Sequence, residues 1–194
     1  ATRRADAVTA RTLAARDLPH PDRGHSTQWL LYGYQQHGRY AHADALLRGC
    51  FQQAHYERLP TGMRQGAAFS YVLQRNLYLA DTRDWDGEAA HSTLDFPADA
   101  GVPGVMQAWG DGVAAVHRGD REIAEASLKS MQERENSIST DWVSPYAPVW
   151  RGTLEAYVLL EAGDAEGALA AAHEGAEYEA SLPVDFGPPI AANA

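Results

Sequence analysis

The chain has 194 residues, and 16 lysines and arginines against 26 aspartates and glutamates give it a formal net charge of −10 at pH 7. A hydrophobic share of 45% and a charged share of 22% are those of an ordinary globular protein and argue against a disordered or fibrous one. No apolar run approaches the roughly 18 residues that a membrane-spanning helix requires, so we expect no membrane insertion.

The composition strongly favours helices over strands. The chain contains 35 alanines and 17 leucines but only 13 valines and isoleucines together. Alanine and leucine are strong helix formers, whereas β-branched residues are enriched in strands. We therefore predict an all-α fold, and the length suits one domain or one repeat array.

The basic residues and the single cysteine limit the classes of partner and site. All basic residues except Lys129 are arginines, and they are scattered rather than gathered into a stripe that could follow a phosphate backbone. We therefore expect no nucleic-acid partner. Cys50 is alone, so an intrachain disulfide and a cysteine-rich zinc site are both excluded. We expect a cytoplasmic protein, although the segment beginning at Ala1 carries no targeting signal from which the compartment could be read.

Segments with helical periodicity follow one another along the chain, separated by glycine, proline and aspartate. We predict a single domain over 1–194, with an N-terminal helix and linker (1–24), four helix pairs (25–60, 61–100, 101–140 and 141–181) and a Pro/Gly tail (182–194). Within the second pair, a long helix from about Met63 to Ala80 is followed by a short helix from Trp85, and the stretch from Leu94 to Gly104 is predicted to be a loop.

The turns share an internal repeat. Gly38-Arg39-Tyr40-x-x-Ala43, Gly119-Asp120-Arg121-x-x-Ala124 and Gly163-Asp164-Ala165-x-x-Ala168 have one common spacing, and Arg83-Asp84-Trp85 occupies the corresponding place in a fourth, degenerate unit. Glycine allows the chain to reverse, and a small alanine one turn into the next helix allows two helix backbones to approach closely. Such pairs must stack to bury their apolar faces.

This pattern resembles the tetratricopeptide repeat, a helix-turn-helix unit of about 34 residues. In the first unit the residues that fit the pattern are Leu30, Tyr34, Gly38, Tyr40, Ala43 and Leu47, whereas Glu88 departs from it in the second unit. More narrowly, the sequence resembles the C-terminal part of bacterial proteins built on this repeat in three stretches: Trp29 to Gly38, Arg83-Asp84-Trp85 and 182–189. Those proteins have no secure activity and typically continue into a further helix pair. The resemblance implies a right-handed solenoid of about four helix pairs, and the chain resembles a fragment or a shortened relative.

The same resemblance implies a binding surface on the concave side of the array. The family's usual groove positions correspond to Gln28, Tyr32, Gln36, Leu73, Leu77, Trp109, His117, Trp150, Tyr157 and Glu161. Amides and aromatic rings on rigid helices are suited to holding a peptide, because aromatic anchors contribute much of interface affinity. Trp29 and Trp85, by contrast, are expected to pack between helices.

Signals for metal binding and catalysis are weak. His37 and His42 are five residues apart, as are Cys50 and His55, whereas ligand pairs on one helix face need a spacing of three or four. We therefore expect no metal and no cofactor, and we interpret Cys50 as a small buried hydrophobe. No nucleophile or phosphate-loop motif is present, and the Gly110-Asp111-Gly112 cluster fits close packing of helices better than phosphate binding.

These observations favour a protein- or peptide-binding scaffold without catalytic activity. The alternative is a small-molecule-binding protein or enzyme with a pocket in the concave face, and a third hypothesis is a structural homo-oligomer. The last helix carries an apolar side formed by Ala165, Leu169, Ala172, Ala176 and Ala180. We expect this surface to be covered, either by the tail residues Val184, Phe186 and Ile190 or by a second copy in a homodimer through the C-terminal end of the array.

Overall fold

The computed structural model describes residues 25–55, 57, 61–97, 99–135, 138, 144–182 and the isolated positions 8, 11, 12 and 15, and the regular secondary structure of these residues is helical. These residues contain no β-strand, so the all-α prediction is confirmed for them. The tail beyond 182 lies outside the described residues, and so does the predicted N-terminal helix apart from positions 8, 11, 12 and 15. Within the same part of the chain, no helix combines the length and the apolar character that spanning a bilayer requires.

Eight α-helices are formed by the described residues: α1 (His25–Gln36), α2 (Tyr40–Ala54), α3 (Thr61–Thr82), α4 (Glu88–His91), α5 (Val102–Arg118), α6 (Arg121–Glu135), α7 (Ala147–Glu161) and α8 (Ala165–Ser181). A single 3₁₀ turn, Ser144–Tyr146, leads into α7. The predicted loop from Leu94 to Gly104 is too long, since α5 already begins at Val102. Pro103 is accommodated there because the first turn of a helix does not use its N–H groups.

The described helices form two compact units. The first unit contains α1, α2 and α3 and ends at Arg83; the second begins at Asp84 and contains α4 to α8. In the first unit the three helices pack against one another. In the second, α5 packs on α6, α7 packs on α8, and α7 also contacts both α5 and α6.

The three repeat glycines adopt the same left-handed conformation. Gly38, Gly119 and Gly163 have φ angles of 64°, 73° and 83°. The residue after each glycine donates its N–H to the carbonyl five residues earlier, with N···O distances of 2.8, 2.8 and 2.9 Å. This hydrogen bond closes the end of a helix, and the positive φ that it requires is available to glycine at little cost.

The fourth turn uses an arginine in the same conformation. Arg83 has a φ of 54°, and its N–H donates to the carbonyl of Leu79 at 2.8 Å. It is the position that the sequence pattern placed in register with the repeat glycines. An L-residue with a side chain pays a conformational penalty in this region of φ.

The aspartate that follows two of these glycines begins the next helix. The Asp164 carboxylate accepts a hydrogen bond from the N–H of Gly167 at 2.8 Å, and Asp120 accepts one from Ile123 at 3.3 Å. A side-chain oxygen at this position satisfies an N–H group that the helix itself cannot pair. The Gly-Asp dipeptide therefore ends one helix and starts its partner within two residues.

Helix α3 is buried all round near its middle. The six consecutive residues 71–76 are all buried, and they include Gln74, Arg75 and Asn76. The Cys50 thiol donates to the Gln74 side-chain oxygen with an S···O distance of 3.7 Å. Cys50 is fully buried, which confirms its interpretation as part of the core.

Glycine also sets the packing of the second unit. A Cβ built on Gly112 of α5 would meet the Leu154 side chain of α7 and the Ser127 side chain of α6 at 3.0 Å or less. The predicted close-packing role of Gly112 is thus confirmed. Gly152 and Gly175 face each other across the contact of α7 with α8, where a Cβ on Gly152 would lie 3.5 Å from the Gly175 Cα.

Candidate functional site

The ten residues predicted to line a groove lie in different environments. Four of them are buried, namely Gln28, Leu73, Trp109 and Trp150. Burial removes these four side chains from any surface that a partner could contact, and it corrects the expectation that all ten are presented together. Burying a tryptophan or leucine side chain at such a position stabilises the fold, because it removes apolar area from water.

The predicted groove residues of the first unit that stay at the surface lie in different surroundings. Gln36 is exposed, and Leu77 is half-buried with its carbonyl accepting a hydrogen bond from Gln35 at 3.2 Å. Tyr32 meets Trp29 edge-on, with 6.1 Å between ring centroids. Trp29 is 38% exposed, so the expectation that it packs in the core is wrong. Helical periodicity alone placed Trp29 near predicted core positions, but its ring lies at the edge of the core.

In the second unit, two predicted residues are brought together with a third aromatic residue. The His117 imidazole of α5 stacks on the Trp85 indole with 4.4 Å between centroids and 9° between planes. The Tyr157 ring of α7 meets His117 at 5.6 Å and 61°. We call Trp85, His117 and Tyr157 the aromatic cluster. Its rings are exposed or half-buried, so it is open to a ligand.

The aromatic cluster continues into an apolar groove between α7 and α8, because Tyr157 belongs to both. The groove is open and has a volume of about 480 Å³. Its lining residues are Val149, Thr153, Ala156, Tyr157, Leu160, Ala165, Ala168, Leu169, Ala172, Gly175, Ala176 and Glu179. Leu160 is 57% and Leu169 63% exposed. We call this surface the α7–α8 groove.

The hairpin that forms the groove is strongly acidic. From Ala147 to Ser181 it carries one arginine and seven carboxylates: Glu155, Glu161, Asp164, Glu166, Glu174, Glu177 and Glu179. The arginine is engaged away from the groove, since the Arg151 guanidinium donates to Glu135 at 3.2 Å and to Glu155 at 3.0 Å. The last predicted residue, Glu161, is exposed at the end of α7 beside Leu160.

Glu135 at the end of α6 is the carboxylate most affected by its surroundings. Burial raises its pKa above the usual value, and the nearby Arg151 charge only partly opposes this effect. Its second oxygen, Oε1, is buried and has no hydrogen-bond partner in the described structure. The ionised side chain is therefore held at some cost to folding.

Comparison of the chain with protein-family models, with curated proteins and with solved structures finds no match. The groove and the aromatic cluster present apolar and aromatic surface with carboxylates nearby. Within the described ranges, no three histidine, cysteine, aspartate or glutamate residues are grouped so that they could hold a metal ion.

Sequence reasoning found part of this site. The apolar side of α8 was predicted, and four of its five residues line the groove. Leu160 was missed because it follows Leu159 and Val158, and such a continuous apolar run does not show which residue faces outward. The pairing of Trp85 with His117 joins residues 32 positions apart, and only the folded chain reveals it.

Proposed function

We propose that the protein is a tetratricopeptide-like scaffold that binds a protein or peptide through the α7–α8 groove and the aromatic cluster. The equivalent left-handed turns support a helical-repeat origin of the fold. Ala124 and Ala168, the small repeat residues that follow the turns, are 2% and 7% exposed. In this proposal the scaffold carries out no chemistry of its own.

The observation that carries this proposal is the exposure of Leu160 and Leu169 at the mouth of an open groove. Covering water-exposed leucines that line the same groove favours binding by about 25 cal/mol for each Å² of apolar area removed from water. The nearby aromatic rings can add anchoring contacts of the kind that dominate many interfaces. An open groove suits an elongated ligand better than a small metabolite, which usually binds in an enclosing pocket.

Selection of random peptides displayed on phage, with the full-length protein as bait, tests the proposal. We expect enriched peptides to lose binding to the double variant Leu160→Asp/Leu169→Asp. The matched control is Ile123→Asp, which alters an exposed apolar residue of α6 that lines neither the groove nor the aromatic cluster. Circular dichroism would verify that all variants remain helical.

Two results would count against the proposal. Enrichment of no peptide, or of peptides that bind the double variant as well as the unaltered protein, would remove the groove as a peptide site. A fragment screen by ligand-observed magnetic resonance tests the alternative. If it gave small molecules whose binding is lost in the Tyr157→Ala variant, the small-molecule alternative would replace the peptide-binding proposal. The volume of about 480 Å³ lies within the range of such sites.

A further inference from the structure

We propose that the occupant of the α7–α8 groove is a basic amphipathic helix of a partner protein. This inference rests on the proposed function and specifies the class of ligand. Three properties of the groove lead to it: the backbone of its walls, the size of its floor residues and the sign of the surrounding charge.

Both walls of the groove are α-helices, and this determines the conformation of the ligand. The N–H and C=O groups of α7 and α8 are paired within their own helices over most of their length. They cannot offer an edge to an extended peptide, which gains its affinity by adding a strand to a sheet. A ligand buried here must satisfy its own backbone groups, and a helix does so without help.

The floor of the groove is made of small residues, which admits a helix at normal packing distance. Alanine or glycine occupies positions 156, 165, 168, 172, 175 and 176. Helices pack with their axes about 8–10 Å apart, the shorter distances requiring small side chains at the contact. From Val149 to Leu160 the groove extends about 16 Å at 1.5 Å per residue, which is about three turns of a ligand helix. Leu160 and Leu169 then form ridges against which apolar side chains of the ligand can pack.

The charge around the groove selects a cationic ligand. Glu179 lines the groove, while Glu161 and Glu166 each neighbour a lining residue in sequence. Helix α8 contains four glutamates and neither lysine nor arginine. Lysines or arginines flanking the apolar face of a bound helix could pair with Glu179 and with the exposed Glu161 and Glu166, and the net charge of −10 would accelerate the encounter of a cationic helix with the protein.

The same charges argue against two other occupants. A second copy of the chain would bring its own acidic α8 against this one, and like charges across an interface oppose association. Residues 183–194 contain three prolines, one aspartate and no lysine or arginine, so they match neither the helical nor the cationic requirement.

The test uses three labelled peptides and the full-length protein. The first is an 18-residue leucine/lysine peptide with helical spacing of its leucines, the second is the same composition in scrambled order, and the third is a leucine/glutamate helix. Fluorescence anisotropy at about 150 mM salt measures the Kd of each. We expect the leucine/lysine helix to bind at least tenfold more tightly than either of the other two.

Variants separate groove binding from general attraction to an acidic protein. Leu160→Asp/Leu169→Asp adds negative charge, yet we expect it to weaken binding of the leucine/lysine helix at least tenfold. Glu166→Lys/Glu179→Lys should weaken it and reduce its salt dependence. The controls on α6, Ile123→Asp and Glu122→Lys, should change the Kd less than twofold.

Several outcomes would overturn the inference. These are equal binding of the scrambled peptide, unchanged binding to the leucine double variant, preference for the leucine/glutamate helix, and a concentration-dependent dimer in sedimentation that Leu160→Asp/Leu169→Asp abolishes. If the phage selection yields groove-dependent peptides that are neutral or acidic, the proposed function stands and the basic-helix inference fails. If neither experiment gives groove-dependent binding, both fail.

Discussion

Gly112 of α5 and Leu154 of α7 lie so close together that a Cβ on Gly112 would be 2.5 Å from the Leu154 Cδ2 atom. Both residues are buried, so the close contact cannot be relieved by moving either residue into solvent. We expect Gly112→Ala to lower the free energy of unfolding by about 1–3 kcal/mol, since added volume in a packed core forces side chains and backbone to shift. Urea denaturation followed by circular dichroism measures this difference.

A double-mutant cycle tests whether the clash involves these two residues. Leu154→Ala alone should cost about 2–5 kcal/mol by leaving a cavity. In the double variant the new methyl group occupies part of that cavity, so the combined loss should be smaller than the sum of the two single losses. Strict additivity would show that Gly112 is constrained by other neighbours.

At the left-handed turns, removing a glycine and introducing one should have opposite effects on the free energy of unfolding. Gly119→Ala places a side chain at a φ of 73° and should lower the free energy of unfolding by about 1 kcal/mol. Arg83→Gly relieves the same penalty at a φ of 54° and should raise it by about 0.5–1 kcal/mol. Equal stability of Arg83→Gly and the unaltered protein would mean that the arginine side chain offsets its conformational cost.

The small repeat residues Ala124 and Ala168 predict a further loss of stability. Both are buried, and a leucine at either position would crowd the neighbouring side chains, although at Ala168 part of it could extend into the α7–α8 groove. We expect Ala124→Leu and Ala168→Leu each to cost about 1–3 kcal/mol. The exposed Ala126 on α6 provides the matched control, since a leucine there should change the denaturation midpoint little. Unchanged midpoints for both buried positions would contradict the assignment of these alanines to helix contacts.

The raised pKa of Glu135 predicts a pH-dependent effect on stability. A carboxyl group whose pKa is higher in the folded than in the unfolded state keeps its proton longer when folded, so its contribution to stability falls as the pH rises from the usual glutamate range through the folded pKa. Glu135→Gln cannot ionise. Relative to the unaltered protein, this variant should therefore gain stability as the pH rises from about 4 to 7.

Urea denaturation at several pH values across that interval measures the effect. Glu133→Gln, on the same helix and more exposed, provides the matched carboxylate change. If Glu135→Gln instead lost stability relative to the unaltered protein as the pH rose, the Arg151 ion pair rather than burial would dominate at this site.

Local signals in the sequence were sufficient for the helices and turns. The positions of Gly38, Gly119 and Gly163 could be predicted because a turn of this kind depends on residues within five positions of one another. Even the unusual φ of Arg83 follows from its alignment with them. The start of α5 was placed too late because glycine and proline were taken as loop residues, whereas proline is favourable in the first turn of a helix.

The burial of single side chains could not be predicted in this way. Helical periodicity does not account for three consecutive buried polar residues, Gln74, Arg75 and Asn76, because an amphipathic helix buries only one face. Trp29 is exposed and Trp109 is buried for the same reason: which face of a helix is covered depends on neighbours far along the chain. The α7–α8 groove was partly predictable because the apolar side of α8 lies on a single helix.

The segment between Arg83 and α5 contains only one short helix, and long side chains of α5 and α6 hold its backbone. Arg118 donates to the Trp85 carbonyl at 2.8 Å, and the Gln107 amide both donates to and accepts from the Leu94 backbone, at 2.6 and 2.7 Å. Arg134 donates to the Pro97 and Phe96 carbonyls at 2.7 and 3.3 Å. These bonds reach main-chain atoms, so they do not depend on which side chains the segment carries.

This arrangement makes the segment suitable for protein engineering. The exposed positions Thr93 and Asp95 on either side of Leu94 could be replaced by residues of a chosen recognition sequence while Gln107 continues to fix the backbone between them. The backbone of such a graft would be held by side chains of the helices rather than by the grafted residues. A library at these two positions would sample new surface chemistry on a backbone already fixed in place.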